Sequence, residues 1–376
     1  MSALRAASLF AGIGGFDLAM HALGIRPELV AEINPSAQSV LAGRFGGSKL
    51  VGDATKVDLR GFDLVAAGFP CQGLSNAAST RDHSGLFDEE SSSAVVWAAL
   101  ERIAGVPFIC LENASSLTTA RYAEDLRALL QWFTEHEYDA RVYVLNAGLY
   151  GVPLRRERAF VLARLRAMPW PEVEQEVRSR CSAPIIGVSG QQGGAAWCVQ
   201  PSPTLKSGTY TLAVTEDDVR SVTPEGLETL LGFPVGHTLP AGSPTQRYQR
   251  LGNAVAVPAA ECALRILLTG TPSPVRHVGR YPLEMTVRAR GGTSGSMVNR
   301  IYRSIRSGRG NHNAIETQYC LPVYARRMTE DARTVTREQF AALAYVEKKG
   351  LLPSRVAPWP SELDISLRQP GLLPVL

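Results

Sequence analysis

Cysteine is scarce in this 376-residue chain, and its six copies, at positions 71, 110, 181, 198, 262 and 320, lie far apart. No two of them form a Cys-x-x-Cys pair. Zinc ligation and a disulfide framework are therefore both poor readings, so reduced thiols and no bound metal are expected. Long apolar runs are also missing. The segment after Met1-Ser-Ala-Leu-Arg5 is too brief for a signal peptide or a membrane span, which predicts a cytoplasmic address and no membrane partner. No internal repeat is found. Net charge is only +4, but residues 1–270 carry 23 Lys and Arg against 27 Asp and Glu, whereas residues 271–376 carry 16 against 8. A basic terminal third on an acidic body suggests contact with a polyanion, although a merely solvated surface accounts for charge alone about as well.

What is present is a repeated strand–helix rhythm. Ala6–Phe10, Glu28–Ile33, Lys49–Val51, Phe62–Ala67, Pro107–Leu111, Arg141–Leu145 and Arg158–Leu162 read as strands, because each is apolar or β-branched and bounded by Gly, Pro or Asp. Phe16–Leu23, Ser36–Phe45, Ser92–Ile103 and Ala123–Glu135 read as helices between them. The pattern predicts an α/β fold with a mostly parallel sheet, helices on both faces, and ligands beyond the carboxyl ends of the strands. From about Ala167 to Thr215 the rhythm breaks on Pro169, Pro171, Pro184, Gly187, Gly190, Gly193 and Gly194, which predicts a small irregular domain with few regular elements. Helical periodicity returns at Pro224–Leu231 and Pro258–Leu268. Gly270-Thr-Pro-Ser-Pro274 reads as a linker, and the basic segment beyond it has a helix signal near Arg337–Lys348.

Two stretches carry chemistry. Ser8-Leu-Phe-Ala-Gly-Ile-Gly-Gly-Phe16 follows the first strand and opens the first helix, with Gly12, Gly14 and Gly15 permitting the tight turn that a nucleotide-like ligand needs. Glu32 ends the second strand, where an acid can accept from ribose hydroxyls, and Asp53 ends the third, where it could receive an adenine amine. Each carboxylate could instead cap the next helix; the three features in register favour a cofactor. The second stretch, Phe62-Asp-Leu-Val-Ala-Ala-Gly-Phe-Pro-Cys-Gln-Gly-Leu-Ser75, carries a strand into a loop at Cys71. A thiol there, with Pro70 fixing the backbone before it, reads as a nucleophile. Cys110, inside a strand, reads as a buried structural cysteine.

Phe10-Ala-Gly-Ile-Gly-Gly, Gly68-Phe-Pro-Cys-Gln72, Glu112-Asn-Ala114, Arg155-Arg-Glu-Arg158, Leu231-Gly-Phe-Pro234 and Leu251-Gly-Asn-Ala-Val255 stand in the order shown by the cytosine-5 DNA methyltransferases. The sequence resembles that family over residues 6–165 and 222–268. The resemblance implies a Rossmann-like methyltransferase with a small irregular recognition domain and a basic C-terminal extension. Residues 1–165 would bind cofactor and catalyse, 166–221 would recognise the target, 222–270 would return to the catalytic domain, and 271–376 would form the extension. It implies S-adenosylmethionine as donor, S-adenosylhomocysteine as product, and double-stranded DNA as substrate. A cognate restriction endonuclease is a possible partner, and a monomer is expected. Cofactor contacts are implied for Phe10, Gly12, Ile13, Gly14, Gly15, Glu32, Ile33, Asp53, Ala54, Gly68, Pro70, Asn253 and Val255.

The resemblance also implies a mechanism. Cys71 matches the family's thiolate, which adds to carbon 6 of cytosine and makes carbon 5 nucleophilic. Glu112 matches the acid at ring nitrogen 3, Arg158 the arginine on the ring carbonyl, and Arg156 the one beside it. The base must leave the duplex for this chemistry. Gln72, Ser75 and Arg81, in the polar stretch after the nucleophile, are expected to meet DNA, as are Arg300, Arg303 and Arg306 in the basic segment, where deletion of 272–376 should weaken binding. Four departures stand out: Leu154 in place of Gln, Ala114 in place of Val, no arginine pair in Pro224–Leu231, and a short recognition region. Three readings compete. They are a tRNA cytosine methyltransferase, a non-catalytic homologue, and a nicotinamide-dependent oxidoreductase suggested only by Gly12–Gly15.

Overall fold

The computed structural model describes residues 4–71, 73–74, 85–88, 92–150, 152, 154, 156–172 and 222–271, together with the backbone of strands at 186–191, 194–199, 211–214, 219–221, 286–288 and 372–373. Seven strands and four helices make the first half: β1 (Ala6–Leu9), α1 (Gly15–Ala22), β2 (Pro27–Ala31), α2 (Pro35–Arg44), β3 (Lys49–Val51), β4 (Leu64–Gly68), α3 (Val95–Ile103), β5 (Phe108–Ala114), α4 (Ala123–Glu135), β6 (Tyr138–Asn146) and β7 (Glu157–Leu165). The smaller strands β8 (Ile186–Gln191), β9 (Gly194–Val199), β10 (Thr211–Val214) and β11 (Val219–Val222) follow. Then come α5 (Pro224–Leu231), α6 (Pro244–Asn253), α7 (Val257–Thr269), β12 (Thr286–Arg288) and β13 (Leu372–Leu373).

The main sheet runs β13-β6-β7-β5-β4-β1-β2-β3. β1, β2, β3, β4 and β5 pair in parallel, while β7 is antiparallel to both β5 and β6 and β13 is antiparallel to β6. Alternation along each strand divides the core in two. Ala66, Cys110 and Phe160 face α1, α5 and α7, whereas Val65, Ile109, Leu111 and Val161 face α3 and α4. Strands buried on both faces explain why β4 and β5 read as continuous apolar runs. Pro244–Thr269 is long and apolar enough to cross a membrane, but it is the pair α6 and α7 and is mostly buried against the sheet.

The five-stranded second sheet, in the order β12-β11-β10-β8-β9, is antiparallel throughout. Here the structure adds to the sequence reading, since a region expected to have few regular elements carries strands β8, β9 and β10. Gly187, Gly190 and Gly194 dilute the alternation that would announce those strands. The basic segment supplies β12 to this sheet and β13 to the main one. The helix signal at 337–348 lies outside the described residues.

Candidate active site

The loop between β1 and α1 turns through left-handed backbone at Phe10 (φ 51°), Gly12 (φ 56°) and Gly14 (φ 85°). Gly14 is the helix N-cap, and a Cβ there would lie 2.3 Å from the Phe45 ring, so only glycine fits. A Cβ on Gly12, by contrast, would meet nothing within 4 Å, so that side of the loop is open. Glu32, just past β2, accepts from the Gly12 N–H at 2.7 Å and from the Asn34 N–H at 2.7 Å. Beside it Ile33 is 76% exposed, an unusual placement for a large apolar side chain at the carboxyl end of a buried strand. Asp53 caps the turn Ala54–Lys56 by accepting from the Thr55 N–H and hydroxyl, and it pairs with Lys56; these donors hold its carboxyl down at about 2. Val255 packs under Gly15, where a Cβ would come within 2.5 Å of its methyl group, and Asn253 is exposed nearby in sequence.

Three strand ends away, register builds an ionic cluster. Gly68 of β4 is level with Glu112 of β5, and Ala114 is level with Arg158 of β7. Glu112 and Arg158 are therefore diagonal neighbours on one face, and they meet, Arg158 Nε donating to Glu112 Oε1 at 3.0 Å. A Cβ at Gly68 would stand 3.5 Å from Glu112 Oε2, in ordinary van der Waals contact, so the end of β4 lies directly beside the carboxylate. Arg156, two residues before Arg158, is 1% exposed and donates to the Gly252 carbonyl at 3.1 Å. Its own N–H is accepted by Asn146 Oδ1, which also takes the Gly148 N–H.

Cys71 lies within electrostatic range of this cluster. Burial raises its thiol above the ordinary value; Arg158 and Arg156 pull it down and Glu112 pushes it up. Burial also raises Glu112, against the pull of the same two arginines. A carboxyl held high by burial can be protonated when it acts, and in that form it no longer repels a thiolate. The backbone carrying Cys71 is fastened from below: Asn113 Nδ2 donates to the Phe69 carbonyl at 3.1 Å, Ser93 Oγ accepts from the Gly73 N–H, and the Tyr122 hydroxyl donates to the Gly73 carbonyl. Among the described residues no group of His, Cys, Asp and Glu could hold a metal ion.

Comparison with known proteins decides what these elements belong to. A family model described as "C-5 cytosine-specific DNA methylase" matches residues 4–180. The chain is 28% identical over 290 residues to the Type II methyltransferase M2.BsuMI of Bacillus subtilis strain 168, covering 68% of this chain and 72% of that one. It is 30% identical over 165 residues to the Type II methyltransferase M.HhaI of Haemophilus parahaemolyticus, covering 43% and 49%. Residues 4–180 thus match the C-5 cytosine-specific DNA methylase model, and the chain is similar to these Type II methyltransferases. Its fold agrees: the Entamoeba histolytica methyltransferase EhMeth superposes with a TM-score of 0.56 at 16% identity, over 71% of this chain and 98% of that one.

The structure gathers Cys71, Glu112, Arg156 and Arg158 at one place and Phe10, Gly12, Ile13, Gly14, Gly15, Glu32 and Val255 at another. Ile33, Asp53, Ala54, Gly68 and Pro70 lie on the same carboxyl edge or the segments leaving it, whereas Asn253 ends α6. Gln72, Ser75, Arg81, Arg300, Arg303 and Arg306 lie outside the described residues. Cys110 is fully buried in β5. Sequence reasoning missed Asn113, Ser93 and Tyr122, which act through backbone atoms 44, 20 and 49 residues away, and Asn146, which accepts from the Gly148 and Arg156 N–H groups. Only Asn113 carried a signal, since it stands inside the quoted Glu-Asn pair.

Proposed function

We propose that this DNA methyltransferase moves a methyl group from S-adenosylmethionine to carbon 5 of a cytosine rotated out of double-stranded DNA, with Cys71 adding to carbon 6. The observation that carries the reading is the pair of buried Glu112 with half-buried Arg158 at 3.0 Å, whose charges act on the Cys71 thiol. In this reading the Cys71 sulfur bonds to carbon 6 while Glu112, protonated, hydrogen-bonds ring nitrogen 3 and takes up the developing charge. Arg158 holds the ring carbonyl, and Arg156 keeps positive potential at the site while tying β7 to Gly252. The donor supplies an electrophilic methyl. Loss of the carbon 5 proton, with water as acceptor, then expels the thiolate.

The glycine loop fits the donor. Its open side above Gly12, the exposed Ile33 and the carboxylate of Glu32 suit a flat adenine and a ribose. Region 166–221 would read base edges in the major groove, and the basic segment 271–376 would add phosphate contacts. We further take the protein to act in the cytoplasm as a monomer, with a cognate restriction endonuclease as a candidate partner. Base-resolution mapping of modified cytosine in DNA from cells expressing the protein tests the whole reading. Cytosine methylated at one recurring sequence is expected; unmodified DNA together with methylated tRNA would turn the assignment to a tRNA cytosine methyltransferase, which shares the catalytic core.

A further inference from the structure

Glycine-rich loops are pliable. With Gly14 in left-handed backbone, the peptide unit between Ile13 and Gly14, in the loop that would hold the donor, has no Cβ on its Gly14 side to restrict its rotation. In this fold that peptide is nonetheless held at both ends. Its N–H, from Gly14, donates to the Ala11 carbonyl at 2.9 Å, and its carbonyl, from Ile13, accepts from His237 Nε2 at 2.7 Å. Turning the peptide over would break both bonds and leave buried groups unpaired, since Ile13 is 1% and His237 3% exposed.

His237 is itself firmly placed. Its ring lies 4.8 Å from that of Phe233 and 6.1 Å from that of Phe45, the same Phe45 that closes against Gly14. Its backbone carbonyl accepts from Arg44 Nε at 3.0 Å, and its neighbour Thr238 donates its N–H to the buried Glu228, which pairs with Arg247. Elements α2, α5 and α6 thus converge on one imidazole. Because that imidazole meets a carbonyl oxygen, the proton must sit on Nε2.

We propose that His237 is a positioning residue for the methyl donor: it locks the Ile13–Gly14 peptide, and so the glycine loop, in the orientation that receives the cofactor. This rests on the S-adenosylmethionine reading of the loop. The bond joins positions 224 residues apart, so the helical return of the chain sets the geometry of its first loop.

The test is calorimetric titration of S-adenosylhomocysteine into the full-length protein as wild type, His237→Phe and His237→Gln. The phenyl ring keeps the bulk and loses the donor, whereas the glutamine amide restores a donor near the same place. Removing one buried hydrogen bond should weaken binding by about tenfold in His237→Phe, and His237→Gln should recover to within about threefold. In steady state the KM for S-adenosylmethionine should rise by a similar factor, with kcat and the KM for DNA nearly unchanged, a split that general loss of structure would not produce. Equal affinity in wild type and a folded His237→Phe overturns the proposal. A wild type that binds no S-adenosylhomocysteine overturns instead the donor reading on which it rests. Should His237→Phe not fold, amide hydrogen exchange in the cofactor-free wild type decides: protection at Gly14 matching that of α1 supports the lock, and rapid exchange there removes it.

Discussion

Glu32 and Glu112 each stand at the carboxyl end of a parallel strand in one sheet, yet their surroundings differ in kind. Glu32 accepts from two backbone N–H groups, those of Gly12 and Asn34. Its neighbourhood is a set of backbone angles held in place, with Gly14, Phe45 and Val255 packed to leave one acceptable geometry. Glu112 instead shares its space with charges, Arg158 at 3.0 Å, Arg156 and the thiol of Cys71, and its protonation is displaced by burial. One end of the edge is organised by shape and the other by electrostatics. Mutations should therefore fail in different currencies, affinity at the first and rate or proton affinity at the second.

The sharpest break of that comparison is Cys71→Ser. Turnover should fall by at least about a thousandfold, the scale of losing a nucleophile, with S-adenosylhomocysteine binding unchanged; a parallel loss of binding would mean that the two ends are not separable. Wild type should also form a stable protein–DNA adduct with a fluorinated cytosine, and Cys71→Ser should form none.

Next in size are the ionic partners. Glu112→Gln should lower kcat by about 10²- to 10⁴-fold, the usual worth of a general acid. It should also move alkylation of Cys71 to lower pH, because a carboxylate that raises the thiol has gone. Arg158→Gln should move alkylation to higher pH, since a guanidinium that lowers the thiol is lost. Shifts of the same sign in both variants would refute the electrostatic description.

At the shape-organised end, Gly14→Ala should cost about 1–3 kcal/mol in folding, from a strained positive φ and the clash with Phe45. It should weaken S-adenosylhomocysteine binding while leaving the Cys71 alkylation profile where it was.

The smallest expected effect comes from Asp17, a fully buried acid in the first turn of α1 whose Oδ2 accepts from the Ser8 hydroxyl and whose Oδ1 has no partner among the described residues. Burial lifts its carboxyl to about 7. Between the unfolded value of about 4 and this value the folded state keeps a proton that the unfolded state has released, so stability should fall as pH rises through that window and level off above it. Asp17→Asn should abolish that slope, read as Tm between pH 5 and 8, with a difference of several degrees near pH 8. An identical slope in the variant would place the charge elsewhere.

Much of the fold is legible in the sequence. All seven strands of the first half and helices such as α4 were visible because apolar periodicity survives where strands are buried on both faces and helices on one. That Cys71, Glu112, Arg156 and Arg158 form one candidate cluster is legible from the motif order that carries the resemblance. Helix α6 was not, since Pro244-Thr-Gln-Arg-Tyr-Gln-Arg-Leu-Gly-Asn253 is polar and shows the core little beyond Leu251. Nor was the pairing of Glu112 with Arg158 rather than Arg156, which depends on the register of β5 against β7. The bond from His237 to Ile13 was the least visible, because nothing local in either segment points across the chain.

The basic segment's two short strands carry a practical consequence. β12 ends the strand order of the small sheet and β13 that of the large one, so each caps a row of backbone donors and acceptors on β11 and β6. A chain cut at residue 271 would bare both rows, and such uncovered borders recruit strands from other molecules. Its weakened DNA binding would then be confounded with self-association. Replacing Arg300, Arg303 and Arg306 by glutamine keeps both borders covered, and is the cleaner way to ask what the positive charge does.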